Sequence, residues 1–384
     1  MIKYREDIDK RKKVFVAMSG GVDSSVVAAL LKDEGYDVVG VTMCFSITHP
    51  DSKKPSCCGV DGIQDAKRAA QILGIPHYVL DFAKDINDYI IDDFVSEYLN
   101  GRTPNPCSRC NQHLKFGSLY EKVKTLGGDY LATGHYAKIH YDPSSGRHLL
   151  KEAEDNRKDQ SYFLASMKKE TLSSVLFPLG DLTKTEVRAL ARKYQLNTAD
   201  KPESQDICFV PDGGYTEFFR RRFGESVFVP GDFVDETGKV IGRHKGILNY
   251  TIGQREKLGI ALGHPVYVNR IDKEKNTVYV GPLSLLYSSG LIAKGFNPVS
   301  RDFKIGEVAS MEVKVRYNAP VFKATATLMD RDTVSVIFDE PQKSITPGQT
   351  VVFYENDVVL AGGVIEKSIS CTSQDLLENA VHTS

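Results

Sequence analysis

Val14-Phe15-Val16-Ala17-Met18-Ser19-Gly20-Gly21-Val22-Asp23-Ser24 reads as an apolar strand that runs straight into a glycine turn. Val26, Val27, Leu30 and Leu31 follow at helical spacing, so the turn opens a helix. Gly35 supplies the helix stop, and a second apolar run from Val38 to Met43 comes next. This is a βαβ unit, the building block of a parallel sheet. In the joining turn, two glycines let backbone amides curl around an anion. Ser19 and Ser24 add hydroxyl donors, and the helix N-terminus adds partial positive charge, so phosphate is the natural occupant. The competing reading is a plain strand-to-helix turn capped by Asp or Ser. A Walker loop is excluded because its Gly-Lys-Ser/Thr ending is missing.

Outward from that unit, apolar runs and amphipathic segments alternate from Lys13 to about Asp200, the pattern of an α/β domain. Strands are predicted at His77–Leu80 and Tyr130–Thr133, with a helix face marked by Ile86, Tyr89, Ile90, Phe94 and Val95. Thr183 with Glu186 forms a capping-box signature opening the helix Val187 to Tyr194. After Asp212 glycine and proline become frequent, and helical periodicity survives only around Phe218 and Phe219. Beyond Leu283 come alternating runs at 323–328, 334–338 and 351–354, separated by turn signals, as in a small antiparallel barrel. The expected organisation is an α/β parallel-sheet domain over 1–212, a linking domain over 213–282, a β-barrel over 283–367 and a loose polar tail over 368–384.

Composition narrows the function classes. In 384 residues, 49 Lys and Arg balance 50 Asp and Glu for a net charge of −1, with 26% charged and 41% hydrophobic residues, which excludes disorder. Any nucleic-acid binding must therefore rest on a local basic face. No apolar run approaches the roughly 20 residues of a membrane span. Charges at Lys3, Arg5, Glu6 and Asp7 occupy the place of a signal peptide's apolar stretch, so a cytoplasmic protein without membrane association is expected. Seven cysteines, an odd number, favour metal-binding or catalytic thiols over a disulfide framework.

Cys107 and Cys110 sit in Arg102-Thr103-Pro104-Asn105-Pro106-Cys107-Ser108-Arg109-Cys110-Asn111, where the prolines predict a stiff extended loop. Cys208, in Glu203-Ser204-Gln205-Asp206-Ile207-Cys208-Phe209, can meet that loop only through the fold. Cys44 and Cys371 read as ordinary small apolar residues, and the Cys57-Cys58 pair as a loop feature.

The glycine turn resembles the pyrophosphate (PP) loop of the N-type ATP pyrophosphatases, with their adenine-nucleotide-hydrolase-like fold. That resemblance implies ATP accompanied by Mg2+, with AMP and pyrophosphate as products. It places ATP against Ala17, Met18, Ser19, Gly20, Gly21, Val22, Asp23 and Ser24, with Met43 and Gly134 at the matching strand ends. Together with Gly134-His135-Tyr136, Lys158-Asp159-Gln160-Ser161-Tyr162-Phe163-Leu164 and Tyr250-Thr251-Ile252-Gly253-Gln254-Arg255, the chain resembles the tRNA-specific 2-thiouridylases of the MnmA type over nearly its whole length.

That resemblance implies ATP-dependent replacement of the C2 oxygen of the wobble uridine of tRNA by sulfur. It assigns Cys208 the incoming sulfur as a persulfide and Cys110 the resolving nucleophile, which closes a disulfide with Cys208. Asn105, Pro106 and Cys107 fall in the target-base pocket. His135, Lys158, Asp159, Gln160, Arg316, Tyr317 and Gln349 become tRNA contacts, and a sulfur-donor protein is the second partner. Single charged residues of this kind are also common on any solvated surface, as is the run Arg220-Arg221-Arg222. One position departs from the family. Three residues before Cys110, where many members carry Asp, this chain has Cys107. The substitution creates Cys-x-x-Cys with a remote Cys208, a set that suits three ligands of a 4Fe–4S cluster. A zinc site using Cys57 or Cys58 is a third reading, and an ATP-dependent carboxylate ligase or an RNA-binding module are more distant ones.

Overall fold

The computed structural model describes residues 12–47, 60–202, 207–260 and 262–371. The Cys57-Cys58 pair, residues 203–206 and the end of the chain beyond 371 lie outside the described residues.

The first apolar run forms strand β1 (Lys13–Ala17), the turn leads into helix α1 (Val22–Asp33), and the second run forms β2 (Asp37–Cys44). With β3 (His77–Asp81), β4 (Tyr130–Ala132) and β7 (Val175–Leu176) they make a five-stranded sheet in the order β3-β2-β1-β4-β7. All its pairings are parallel. Parallel sheets are covered on both faces, and β1 shows this residue by residue. Phe15 packs into one core cluster with Val39, Val41 and Phe94, whereas Val14 and Val16 pack into another with Val27, Leu30 and Leu31 of α1. The chain runs from β1 out to β3, then returns to the other side of β1 with β4. That reversal is a topological switch point, where open parallel sheets leave a crevice at the carboxyl ends of their strands.

The helix face predicted from Ile86 to Val95 exists, but it is not one regular helix. Ala83–Ile86 is α-helical, Asn87–Ile91 winds as a π-helix, and Asp92–Leu99 is α-helical again. Ile86, Ile90 and Phe94 are buried as the spacing implied, while Tyr89 is exposed. The capping box is present in full, with Thr183 and Glu186 bonded reciprocally at the start of Lys184–Lys193.

Between the α/β region and the barrel, β8 (Gly231–Val234), β9 (Val240–His244), β10 (Tyr267–Asp272) and β11 (Thr277–Gly281) form a small sheet in the order β10-β11-β8-β9. The helix Gly214–Phe223 precedes that sheet. Phe218 and Phe219 insert into an aromatic cluster with Phe94 and Phe209, with ring centroids 5.1–6.1 Å apart.

The C-terminal strands β12 (Tyr287–Pro298), β13 (Val308–Lys314), β14 (Phe322–Leu328), β15 (Val334–Lys343), β16 (Thr350–Glu355) and β17 (Val358–Ser370) are all antiparallel and close into a barrel through the β12–β17 pairing. Two features depart from expectation. The hairpin β5 (Lys138–Asp142) and β6 (Arg147–Lys151), from the α/β part of the chain, extends the barrel sheet by pairing Leu150 with Val359. Of the loose tail expected over 368–384, residues 368–370 instead continue β17, where Ser370 pairs with Ser288. Polar side chains there are those of a strand edge rather than of a frayed end. The run Lys367-Ser368-Ile369-Ser370 has its backbone hydrogen bonds satisfied by β12.

Candidate active site

The crevice at the switch point holds the glycine turn. Gly20 has φ +72°, and a Cβ there would lie 2.1 Å from the carbonyl oxygen of Gly62 on the helix Val60–Leu73, so only glycine fits. Gly134 follows β4 and backs onto the turn so closely that a Cβ would come within 2.9 Å of the Ser24 amide nitrogen. The Ser24 hydroxyl accepts from the Ser19 amide at 3.2 Å, and Ser25 donates to the Gly21 carbonyl at 2.9 Å. These bonds hold the turn open as a cup.

Three residues remote in sequence brace it. Lys184 donates to both carboxylate oxygens of Asp23 at 2.7 Å, and the Tyr136 hydroxyl donates to Asp23 at 2.8 Å. Lys201 donates to the Gly20 carbonyl at 3.0 Å while pairing with Asp65 at 2.6 Å. Tyr136 belongs to the Gly134-His135-Tyr136 motif, whereas Lys184 and Lys201 carry no local signature in the sequence and reach the turn only through the fold.

Opposite the cup stands the cysteine segment, where the extended loop predicted for Arg102–Asn111 is corrected. Asn105 accepts the Ser108 amide at 3.2 Å as a helix N-cap, and Pro106 occupies the first helical position, so the prolines open a helix instead of preventing one. The turn Pro106–Arg109 runs on into a π-helix, Cys110–Leu119. Cys208 reaches the same place because its neighbour Phe209 is buried edge-on against Phe94 at 5.1 Å and so anchors the segment. One cavity of about 370 Å³ joins these parts. Ala17, Met18, Ser19, Asp23, Ser24, Met43 and Gly134 form one side. Pro106, Cys107, Cys110 and Cys208 form another, and Phe163, Lys115, His135 and Gln160 complete it.

The remaining residues of the sequence reading divide. Gln160 accepts the Tyr136 amide at 3.0 Å and donates its own amide to the Tyr136 carbonyl at 2.8 Å, fixing the Gly134-His135-Tyr136 step. His135 is buried, with Nδ1 2.7 Å from the Thr133 hydroxyl and Nε2 3.3 Å from Lys115 Nζ. Burial, reinforced by the Lys115 charge, holds the imidazole well below its usual pKa. Asp159 is 5% exposed, and its carboxylate accepts from Ala153, from the Ser161 amide and from the Ser161 hydroxyl, so it shapes a turn and presents no surface. Its burial raises the carboxyl above the usual range.

Gln349 donates to the Thr103 and Pro104 carbonyls at 2.9 and 3.2 Å, tying the barrel to the cysteine segment. Tyr317 lies against Phe163, with ring centroids 4.6 Å apart. Burial and Asp159 raise the Tyr317 hydroxyl, and the Lys158 charge opposes them. Arg316 acts on neighbouring Tyr162 in the same way. Arg316 and Tyr317 are adjacent in the chain, and the Tyr317 ring packs on Phe163, which lines the cavity. Arg220 and Arg221 pair with Glu217, and Arg222 with Asp92, which fits a solvated face.

Among the described residues no three His, Cys, Asp or Glu side chains are grouped so as to hold a metal ion. Cys44 has its sulfur 3.9 Å from the Ser46 hydroxyl and does not line the cavity. No helix among the described residues is long and apolar enough to cross a membrane.

Comparison with known proteins identifies the parts. Residues 12–212 match the family model described as tRNA methyl transferase HUP domain, 216–282 the tRNA methyl transferase PRC-barrel domain, and 288–365 the aminomethyltransferase beta-barrel domain. The tRNA-specific 2-thiouridylase MnmA of Carboxydothermus hydrogenoformans is 50% identical over 366 residues, covering 94% of this chain and all of that protein. Its counterpart from Halothermothrix orenii is 46% identical over 93% of this chain and 99% of the relative. That of Clostridioides difficile is 45% identical over the same share of each. Identity of this level across every domain shows that the chain belongs to the tRNA-specific 2-thiouridylase MnmA family and is a tRNA sulfurtransferase.

Proposed function

We propose that the chain thiolates the C2 position of the wobble uridine through an adenylated base and a cysteine persulfide. The observation that carries this reading is the single cavity shared by the phosphate cup and by Cys107, Cys110 and Cys208. A uracil C2 carbonyl is a poor electrophile, so its oxygen must first become part of a leaving group. The C2 oxygen attacks the α-phosphorus of ATP, pyrophosphate departs with the bonding pair, and the N3 proton passes to solvent. Mg2+ accompanies ATP as its counter-ion. The terminal sulfur of a Cys208 persulfide, loaded by a sulfur-donor protein, then attacks C2 and expels AMP. The Cys110 thiolate attacks the Cys208 sulfur of the resulting adduct and closes a Cys110–Cys208 disulfide. The bonding pair returns to the sulfur on C2, N3 regains its proton, and an external thiol reductant restores both cysteines.

The persulfide route asks for two thiols on the cavity, one to carry sulfur and one to resolve it, and Cys208 and Cys110 both line it. Tyr317, packed on the cavity-lining Phe163, would stack on RNA with Arg316 and Lys158 supplying positive charge for the tRNA backbone. The test is an anaerobic assay with tRNA, ATP and a persulfide donor, followed by mass analysis of nucleosides. Cys110→Ser and Cys208→Ser are each expected to abolish 2-thiouridine while tRNA-dependent pyrophosphate release persists. Full product from either variant would refute the persulfide route.

A further inference from the structure

Among the described residues lining the cavity, Asp23 is the one acid and Lys115 the one Lys or Arg. The Asp23 charge is already met by Lys184, with both carboxylate oxygens at 2.7 Å, and by the Tyr136 hydroxyl. Lys115 has no such counterpart. No carboxylate pairs with it among the described residues, and its polar neighbour is the imidazole of His135. That imidazole is buried and held neutral. It has its Nδ1 at 2.7 Å from Thr133, which leaves Nε2 to accept from the ammonium when Nδ1 donates to the hydroxyl. An acceptor that brings no charge positions the lysine without neutralising it. Two N–H bonds and a full positive charge therefore remain in a cleft otherwise prepared for phosphate.

Helix geometry explains how the charge comes to stand beside the thiol chemistry. In an α-helix at about 100° per residue, a residue five places on is turned by about 140° and would point away from Cys110. Cys110–Leu119 is wound as a π-helix, whose hydrogen bonds run between residues five apart, and this brings Cys110 and Lys115 toward one face. Both line the cavity accordingly.

We propose that Lys115 is a catalytic residue of the adenylation and sulfur-transfer steps, its ammonium donating to the α-phosphate oxygens on which negative charge is held as pyrophosphate leaves and, later, as AMP leaves. This rests on the adenylation route proposed above. Lys115 transfers no proton and forms no covalent bond; it stabilises charge in a preorganised site. His135 is the positioning residue behind it.

Single-turnover assays with tRNA and ATP labelled at the α-phosphate test the assignment, with AMP and 2-thiouridine both measured. Lys115→Met is expected to slow AMP formation by on the order of 10²–10³, the range found for removing one such donor. The KM for ATP and the tRNA affinity should stay within about threefold. Lys115→Gln keeps a donor for His135 but no charge and should show the same loss, so a folding defect in one neutral variant does not decide the outcome. Lys115→Arg should retain more activity than either. AMP formation by both neutral variants within fivefold of the parent enzyme, or a loss confined to KM, would overturn the role of Lys115 alone. A parent enzyme that makes 2-thiouridine without tRNA-dependent AMP release would overturn the adenylation route and this role with it.

Discussion

Gly20 and Gly21 are adjacent, yet the backbone uses them differently. Gly20 needs positive φ and contact with Gly62, whereas a Cβ on Gly21 would meet nothing nearer than the Ser19 hydroxyl at 3.4 Å. Gly20→Ala should thus distort the fold itself, at a cost of about 1–3 kcal/mol, seen as a lowered Tm. Gly21→Ala should leave Tm nearly unchanged and raise the KM for ATP, because its methyl stands where phosphate approaches the amides. Equal melting temperatures for the two variants would contradict this division. At Cys107 the expectation is chemical. Cys107→Asp installs the residue that the family resemblance led one to expect there, and on the persulfide route it should still yield 2-thiouridine without added iron. Loss of activity together with an iron–sulfur chromophore in the anaerobically purified parent would favour the cluster instead. The glycines and the cysteines were legible in the sequence because their chemistry is local. Lys184, Lys201 and Lys115 were not, since an isolated lysine in a sequence looks like any solvated one until the fold brings it to a carboxylate, a carbonyl or an imidazole.

At the scale of elements, the helix Lys184–Lys193 links stability to the phosphate cup. Its capping box satisfies two backbone donors, and its first residue supplies the cation that holds Asp23. Thr183→Ala should cost about 1 kcal/mol of stability with modest effect on turnover. Lys184→Met should instead leave the Asp23 carboxylate unneutralised beside the nucleotide phosphates and raise the KM for ATP several-fold or more. Lys184→Met with an unchanged KM would show that Asp23 does not face the nucleotide. The capping box could be read directly, because its two residues stand three apart in the sequence. The π-helical winding at Asn87–Ile91 and Cys110–Leu119 could not, since the apolar pattern barely distinguishes it from α-helix. The same limit explains the misread cysteine loop: prolines signal a helix start as well as an extended segment, and the Asn105 cap decides which.

Over the whole molecule, the α/β part and the barrel share structure. The β5–β6 hairpin belongs to the first by chain position and to the second by pairing, and buried Tyr162 donates its hydroxyl to the Thr350 carbonyl at 2.8 Å. Arg102 bonds Glu97 at 2.8 Å, Glu366 at 3.0 Å and the Ile365 carbonyl at 3.2 Å, while Gln349 holds the two carbonyls just before Asn105. Alternation and turn signals made the barrel strands legible, but a hairpin lent to a distant sheet has no local signature beyond being a hairpin. The barrel is thus part of the scaffold that sets the cysteine segment. A chain ending at residue 282 would keep the cup and all three cavity cysteines. It would lose the partner of β6, the acceptor for Tyr162 and the clamps on Arg102 and Thr103. Leu150 and Tyr162, both fully buried here, would be left without the barrel residues that cover them. Such a chain is expected to aggregate or to lack a cooperative thermal transition by calorimetry and near-ultraviolet circular dichroism, whereas full-length Gln349→Ala should melt cooperatively with weakened turnover. A 1–282 chain that melted as one sharp transition near the full-length Tm would show that the barrel is only an RNA-binding appendage.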